Sequence, residues 1–224
     1  MSLARKIFGV GVWTGVSRVL GFARDMLVGR YLGAGRLSDI FLAAFKLPNL
    51  FRDLLGEGAL SSVFVPLFSK EKKSESFASN AFSWLMLALL VITVLMEILM
   101  PLVILGLAPG FNAEKALMTV RIARIMFLYV MLVCGVGFFS AVLNAFSDFA
   151  AAAFIPVLLN VSLILGLLIF GADLYAMAFA VLAAGVVQLA VLYMRLRRRN
   201  FGILLVRPRL TGPVKSMLGR MGWG

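Results

Sequence analysis

Four long apolar stretches constrain the fold of this chain more than any other feature. They cover residues 79–108, 116–147, 149–172 and 174–194. Their only charged residues are Glu97, Arg121 and Arg124. A transmembrane helix needs about 20 mostly apolar residues, and the chain as a whole is 62% hydrophobic, where soluble domains are about 45–50% apolar. We therefore predict an all-α integral membrane protein.

Two further stretches near the N-terminus are long enough to span a membrane, but they carry charges. They cover residues 7–32 and 37–69. Ionisable groups within a bilayer cost about 2.5–3.5 kcal/mol each on insertion scales, so they usually line a cavity or pair with one another. Both stretches are interpreted as spanning helices that face a polar interior. The prediction is a bundle of six transmembrane helices over residues 1–200, followed by a basic tail over residues 201–224.

The distribution of basic residues predicts the orientation. The 224-residue chain has 22 Lys and Arg against 10 Asp and Glu, a net charge of +12. With six spans and the N-terminus inside, most basic residues outside the spans fall on one side, as the positive-inside rule requires of the cytoplasmic side. Both termini are therefore predicted to be cytoplasmic. The cluster at residues 195–199 follows a span directly, which favours an anchor against anionic membrane lipids over nucleic-acid binding.

Several chemistries lack the residues they need. The chain has no histidine, which excludes histidine-based acid–base catalysis and metal ligation. Its one cysteine, Cys134, lies in an apolar run and is predicted to be a buried free thiol. No phosphate-binding loop sequence of the ATP-hydrolysing type occurs. We predict neither an enzymatic activity nor a metal or cofactor.

The charges of the first two predicted helices follow helical spacing. At 100° per residue, one stripe of the first helix holds Thr14, Arg18, Gly21 and Asp25. A stripe of the second holds Asp39, Lys46, Asn49, Asp53 and Glu57. Two interpretations remain open. Either the charges pair across the two helices, as Arg18 with Asp53 would, and hold the bundle together, or they line a hydrated cavity for an anionic headgroup.

Arginine content favours the cavity. Arg18, Arg24 and Arg52 lie within two adjacent predicted helices, and a guanidinium grips phosphate with two parallel N–H groups. The candidate substrate-binding residues are Arg18, Arg24, Arg52, Lys46 and Asn49. The candidate gating or charge-pairing residues are Asp25, Asp39, Asp53 and Glu57. The role of Glu97, in a helix that is otherwise apolar, stays open.

Short motifs occur in a fixed order along the chain. They lie at residues 17–25, 33–35, 39–52, 56–61, 64–66, 108–111, 143–145 and 154–160. The first reads Ser-Arg-Val-Leu-Gly-Phe-Ala-Arg-Asp, and the third ends in Lys-Leu-Pro-Asn-Leu-Phe-Arg. Together they resemble the MurJ/MviN lipid II flippase family over about residues 3–200.

This resemblance implies a fold and a function. It places the chain in the multidrug/oligosaccharidyl-lipid/polysaccharide exporter superfamily, whose members have two six-helix lobes around a central cavity. The family moves an undecaprenyl-pyrophosphate-linked peptidoglycan precursor across the bacterial cytoplasmic membrane by alternating access. By this resemblance, the arginines at positions 18, 24 and 52 would receive the pyrophosphate, and Asp25, Asp39 and Glu57 would form gating or pairing contacts.

The resemblance also implies that a second lobe is needed. This chain corresponds to the N-terminal lobe, and residues 215–222 are similar to the approach to a seventh helix. Alternating access requires two lobes that rock about a shared site. The expected partners are the lipid-linked precursor, membrane lipids and a C-terminal lobe. The alternatives are another polysaccharide-lipid or drug exporter of the superfamily, or a membrane fragment that does not transport.

Overall fold

The computed structural model describes residues 3–53 and 59–221. All regular secondary structure within these ranges is helical. The helices are α1 (Leu3–Leu32), α2 (Arg36–Phe51), α3 (Ala59–Lys70), α4 (Glu75–Leu107), α5 (Ala113–Phe127), α6 (Tyr129–Ala145), α7 (Phe149–Phe170), α8 (Leu174–Arg197) and α9 (Gly212–Met221).

Local sequence explains where several of these helices begin and end. The side chains of Ser74, Asn112 and Asp173 accept hydrogen bonds from backbone N–H groups in the first turns of α4, α5 and α8. Such caps satisfy donors that have no partner within the helix. Gly33 and Gly171 follow α1 and α7 with φ of +68° and +64°. That conformation suits glycine because it lacks a Cβ.

The prediction of membrane spans holds for the four apolar stretches. Within the described residues, four segments are long and apolar enough to cross a membrane: Glu75–Leu107, Ala113–Ala145, Phe149–Phe170 and Leu174–Arg197. The second of them comprises α5 and α6, which meet at Leu128. The predicted helix over residues 37–69 corresponds to α2 and α3, and residues 54–58 between them lie outside the described ranges.

The first two helices, α1 and α2, pack against different helices. α1 lies along α7, α2 lies along α5, and α1 and α2 contact each other only slightly. α6 packs on α8, and α7 also packs on α8, so these three helices form the middle of the bundle. Cys134 of α6 is buried there as a free thiol, as predicted. Among the described residues, one side of α1 and one side of α2 have no neighbouring helix.

An ion cluster closes one end of this middle layer. Asp148, between α6 and α7, has a side chain only 6% exposed. It accepts hydrogen bonds from Arg195 at 3.0 Å and from Arg199 at 2.8 Å. Burial opposes ionisation, but the two guanidiniums outweigh it and hold the pKa of Asp148 below its usual value. Two arginines of the predicted lipid anchor therefore bind a carboxylate within the protein.

Replacing Asp148 with asparagine is expected to destabilise the fold by about 2 kcal/mol, because charge-assisted hydrogen bonds contribute about 1.5–3 kcal/mol and both arginines are partly exposed. A lowered folded pKa means that this stabilisation is present above the unfolded pKa, about 3.9. It is lost as the pH falls through the folded value. Thermal unfolding in detergent should separate the variant from the parent at pH 7 and less so below about pH 4.

Glu71→Gln is the matched control, because Glu71 forms no ion pair within the described part of the chain. Equal unfolding temperatures for the Asp148 and Glu71 variants at pH 7 would contradict the role assigned to the cluster.

Candidate functional site

Three hydrogen bonds hold the Arg24 guanidinium of α1 in place. Its Nε and Nη2 atoms donate to Oδ1 of Asp25 at 3.0 and 2.7 Å. Its Nη1 atom donates to Oδ1 of Asn160 at 2.9 Å. The side chain is 24% exposed. Of the five N–H groups of a guanidinium, two remain without a partner among the described residues.

Asn160 of α7 determines where Arg24 points. This residue is 5% exposed. Its Oδ1 accepts from Arg24, and its Nδ2 donates to the carbonyl of Ser17 at 3.0 Å. One amide therefore orients the guanidinium and joins α7 to the preceding turns of α1. Sequence reasoning did not assign Asn160 to the site, although it ends the motif at residues 154–160.

The unpartnered side of α1 mixes charge with apolar surface. Arg18 is exposed and forms no ion pair within residues 3–53 and 59–221. Asp25 is 66% exposed and pairs with its neighbour Arg24. Val19 and Phe22 are 69% and 68% exposed. Such a surface suits neither bulk lipid nor bulk water, since charges are costly in one and apolar side chains in the other.

α2 brings three candidate residues together on one face. Lys46, Asn49 and Asp53 line a shallow depression of about 380 Å³, with Leu42, Phe45 and Leu50 as its apolar rim. Lys46 forms no ion pair with a described residue, and Asp53 pairs with Arg52 at 3.0 Å. Three residues of the stripe predicted from helical spacing therefore lie together at one depression.

Arg52 lines a partly open cavity of about 250 Å³. The cavity lies between α6, α7 and α8, with Tyr129, Asn144 and Gln188 among its polar lining residues. The hydroxyl of Tyr129 donates to Oε1 of Gln188 at 3.2 Å. Nε2 of Gln188 donates to the carbonyl of Ile155 at 3.0 Å. These polar residues sit singly in apolar runs, so nothing in the sequence marked them as a group.

Asp39 binds a residue that the sequence did not suggest. Its Oδ2 accepts from Nζ of Lys115 at 2.6 Å. A second pair, Arg36 with Glu114 at 2.6 Å, lies beside it. Both pairs join the start of α2 to the start of α5. Asp39 therefore contacts α5, away from the Arg24 and Arg52 sites.

The two remaining acidic residues considered in the sequence are Glu57 and Glu97. Glu57 lies outside the described residues. Glu97 of α4 lies 3.8 Å from Nε of Arg124, whose Nε also donates to the Glu97 carbonyl at 3.2 Å. This contact joins α4 to α5. Glu97 is thus a partner of α5 in this structure.

The ion pairs of Arg24 and Arg52 are local. Arg24 pairs with Asp25 and Arg52 with Asp53, each the next residue in the chain. Among the described residues, no hydrogen bond or ion pair joins the charges of α1 to those of α2, so the predicted contact between Arg18 and Asp53 does not form. Among the described residues, Asp25 and Asp53 are bound to Arg24 and Arg52, which leaves Arg18 of α1 and Lys46 of α2 as positive charges without an ion-pair partner. Such an arrangement can bind an anion.

Comparison with known proteins identifies the relatives of this chain. Residues 28–224 match the family model of the lipid II flippase MurJ. A probable lipid II flippase MurJ of Rhizobium tropici is 43% identical over 97% of this chain and 44% of its own length. The corresponding protein of Rhizobium meliloti strain 1021 is 40% identical over the same shares. The chain therefore spans less than half the length of the curated relatives it matches.

Solved structures support the fold. A lipid II flippase MurJ in an inward closed conformation superimposes with a TM-score of 0.69 at 19% identity, over 95% of this chain and 46% of that one. An outward-facing multidrug resistance MATE family transporter of the MOP superfamily gives 0.68 at 16% identity, over 96% and 51%. These two likenesses show the fold, and the assignment to a family rests on the sequence. By its match over residues 28–224 and its 43% identity to a relative, the chain belongs to the lipid II flippase MurJ family.

Proposed function

We propose that this chain is one six-helix lobe of a flippase for a pyrophosphate-linked lipid, the peptidoglycan precursor lipid II. Its relatives carry that activity in their names, and the excess positive charge on α1 and α2 suits an anionic headgroup. The protein works by alternating access and catalyses no covalent reaction. Its cargo is bound at one side of the membrane and released at the other.

The geometry of Arg24 carries this proposal. A guanidinium that is held by Asp25 and Asn160 and still keeps two free N–H groups is ready for a phosphate oxygen. Holding it in advance lowers the entropic cost of binding. Arg18, Lys46 and Asn49 supply further polar contacts, and Arg52 acts from the cavity side. Asp25 and Asp53 keep their arginines in position until the headgroup competes for them.

Transport in this proposal requires a second lobe. The unpartnered side of α1 places Arg18 and Asp25 among exposed apolar side chains, a surface that another protein surface covers well. A central cavity then forms between the two lobes, as alternating access requires. The relatives are long enough to contain a second lobe, since this chain covers 44% of the Rhizobium tropici protein.

The chain is a multi-pass protein of the bacterial inner membrane, as its family and its four apolar spans indicate. We infer that both termini face the cytoplasm. The exposed basic residues Lys70 and Lys72 lie at the end of α3, and the arginines at positions 195 and 197–199 lie at the end of α8. Positive charge at these two ends supports a cytoplasmic location for both.

Complementation tests the proposal. In cells depleted of their own lipid II flippase, the chain together with the C-terminal half of the Rhizobium tropici relative should restore growth, whereas the chain alone should not. The physical reason is that a single lobe cannot form a central cavity that opens first to one side of the membrane and then to the other. Growth and the accumulation of the lipid-linked precursor are measured together.

Each outcome has a definite meaning. Rescue by the chain alone rejects the need for a second lobe. Failure of a stably expressed pair rejects the flippase assignment, and export of cationic drugs by that pair would support the multidrug alternative instead. Expression of both halves is verified by immunoblotting, so that poor synthesis is not mistaken for inactivity.

A further inference from the structure

Residues 201–211, which we name the strap, fold back on α4 after the end of α8. The backbone N–H groups of Gly202, Leu204 and Val206 donate to side-chain oxygens of α4, and the acceptors in that order are Glu75 at 2.8 Å, Ser79 at 3.2 Å and Ser83 at 2.8 Å. Alternate residues of an extended segment are thereby fixed to successive turns of one helix. The strap is therefore a docked part of the fold and not a free tail.

The second half of the strap returns along the same helix. Arg209 donates its N–H to Oδ1 of Asn80 at 2.8 Å, and its carbonyl accepts from Nδ2 of Asn80 at 2.7 Å. The carbonyl also accepts from Nε1 of Trp84 at 3.3 Å. The chain thus runs from Glu75 to Ser83 and then turns back toward Asn80, with its tip near Val206.

The exposure pattern of α4 places this tip relative to the bilayer. The large exposed apolar side chains of α4 begin at Leu87 and end at Leu107. Those 20 steps measure about 30 Å at 1.5 Å per residue, which equals the thickness of the hydrocarbon core. Residues 77–83 are buried under protein instead. Val206, beside Ser83, therefore lies about 6 Å from the edge of the hydrocarbon, at the level of the headgroups.

The strap presents apolar and basic groups together at this level. Leu204, Leu205 and Leu210 are 59%, 70% and 55% exposed. Arg207 and Arg209 are also exposed and form no ion pair with a described residue. A basic segment with exposed leucines is the composition that binds the interface of an anionic membrane.

A groove beside the strap has the size and chemistry for a headgroup. Its volume is about 520 Å³, and it is lined by both arginines together with Ser76, Ser79, Asn80 and Thr211. The one carboxylate in its lining, that of Glu75, is bound to the N–H of Gly202. Arginine and hydroxyl groups are the donors that a phosphate oxygen accepts from.

We propose that the strap is a binding site for anionic phospholipid in the leaflet that faces this end of the bundle. The lipid phosphate lies in the groove against Arg207 and Arg209, and its acyl chains run beside Leu204 and Leu205 toward the lipid-facing part of α4. The site is separate from the α1 and α2 surface and does not depend on what the lobe transports.

Lipid affinity tests the site. Phosphatidylglycerol and phosphatidylcholine are titrated into the detergent-solubilised chain, and bound lipid is counted by native mass spectrometry. The double variant Arg207→Gln/Arg209→Gln should bind phosphatidylglycerol roughly 25-fold more weakly, about fivefold for each arginine. Its strap should remain docked, because the hydrogen bonds of Arg209 to α4 use backbone atoms. Arg30→Gln/Arg121→Gln, which removes two exposed arginines elsewhere, should leave the affinity unchanged.

Depth of insertion tests the surface independently. A spin label is placed at Leu205→Cys in a Cys134→Ala background, with Lys72→Cys and Val94→Cys as references for water and hydrocarbon. In phosphatidylglycerol-containing vesicles the Leu205 label should be accessible to oxygen and protected from a water-soluble nickel chelate. Exposure equal to that of the Lys72 label overturns the proposal, as does equal affinity of the strap variant for phosphatidylglycerol. Protection from both reagents indicates a covering protein and overturns it too.

Discussion

Replacing Arg24 with glutamine is expected to weaken the binding of a pyrophosphate-linked lipid by roughly 100-fold and to abolish rescue of flippase-depleted cells by the two-lobe protein. The two N–H groups that Arg24 keeps free would each lose a charge-assisted hydrogen bond, which contributes about 1.5–3 kcal/mol. A total near 3 kcal/mol corresponds to about two orders of magnitude. Calorimetric titration of the solubilised protein measures the affinity directly.

Graded variants show whether position or charge matters at this site. Arg24→Lys keeps the positive charge but loses the parallel N–H groups of the guanidinium. Its affinity for the lipid should therefore lie between that of the parent and that of Arg24→Gln. Asn160→Ala should weaken binding by about tenfold, because Arg24 then loses the amide that orients it. Arg30→Gln is the control on the same helix, exposed and outside the proposed site. Unchanged affinity in a folded Arg24→Gln protein would remove Arg24 from the binding site.

Adding a methyl group at Gly185 should destabilise the bundle by about 1–3 kcal/mol, the cost typical of overpacking a close-packed core. A Cβ at this position would lie 2.7 Å from Cδ2 of Tyr129 and 2.9 Å from Cβ of Leu132. The Tyr129 ring cannot easily swing away, since it is 1% exposed and its hydroxyl is bound to Gln188. Thermal unfolding of Gly185→Ala in detergent measures the effect.

Gly11→Ala is the matched control for this prediction. No atom lies within 4 Å of a Cβ at Gly11, and alanine favours the helix over glycine by about 1 kcal/mol. This variant should therefore be as stable as the parent or more stable. Equal behaviour of the two glycine variants would mean that α8 and α6 are less tightly packed at Gly185 than the structure has them.

The apolar spans were predictable from the sequence because each depends only on a run of neighbouring residues. A stretch such as residues 149–172 has no other way to satisfy its backbone in lipid than to form a helix. Local sequence also explains the end of α7 at Gly171 and the start of α8 after Asp173. The division of residues 116–147 at Leu128 was not predictable, because no proline or glycine marks it.

The partners of the charged side chains were much less predictable. Helical spacing placed Lys46, Asn49 and Asp53 on one face, and the structure brings them to one depression. Spacing could not say which helix lies opposite, so the expected contact between the α1 and α2 charges is absent from the described residues. Asp39 instead meets Lys115, 76 residues along the chain.

The sequence by itself determined that this chain is a helical membrane protein of the lipid II flippase MurJ family, with surplus arginine in its first two helices. Those properties are carried by composition, local periodicity and ordered motifs. The tertiary structure alone decided that Asn160 orients Arg24, that Asp148 holds Arg195 and Arg199, and that the strap docks on α4. Each is a contact between distant segments, and its formation depends on how helices rotate and pack against one another.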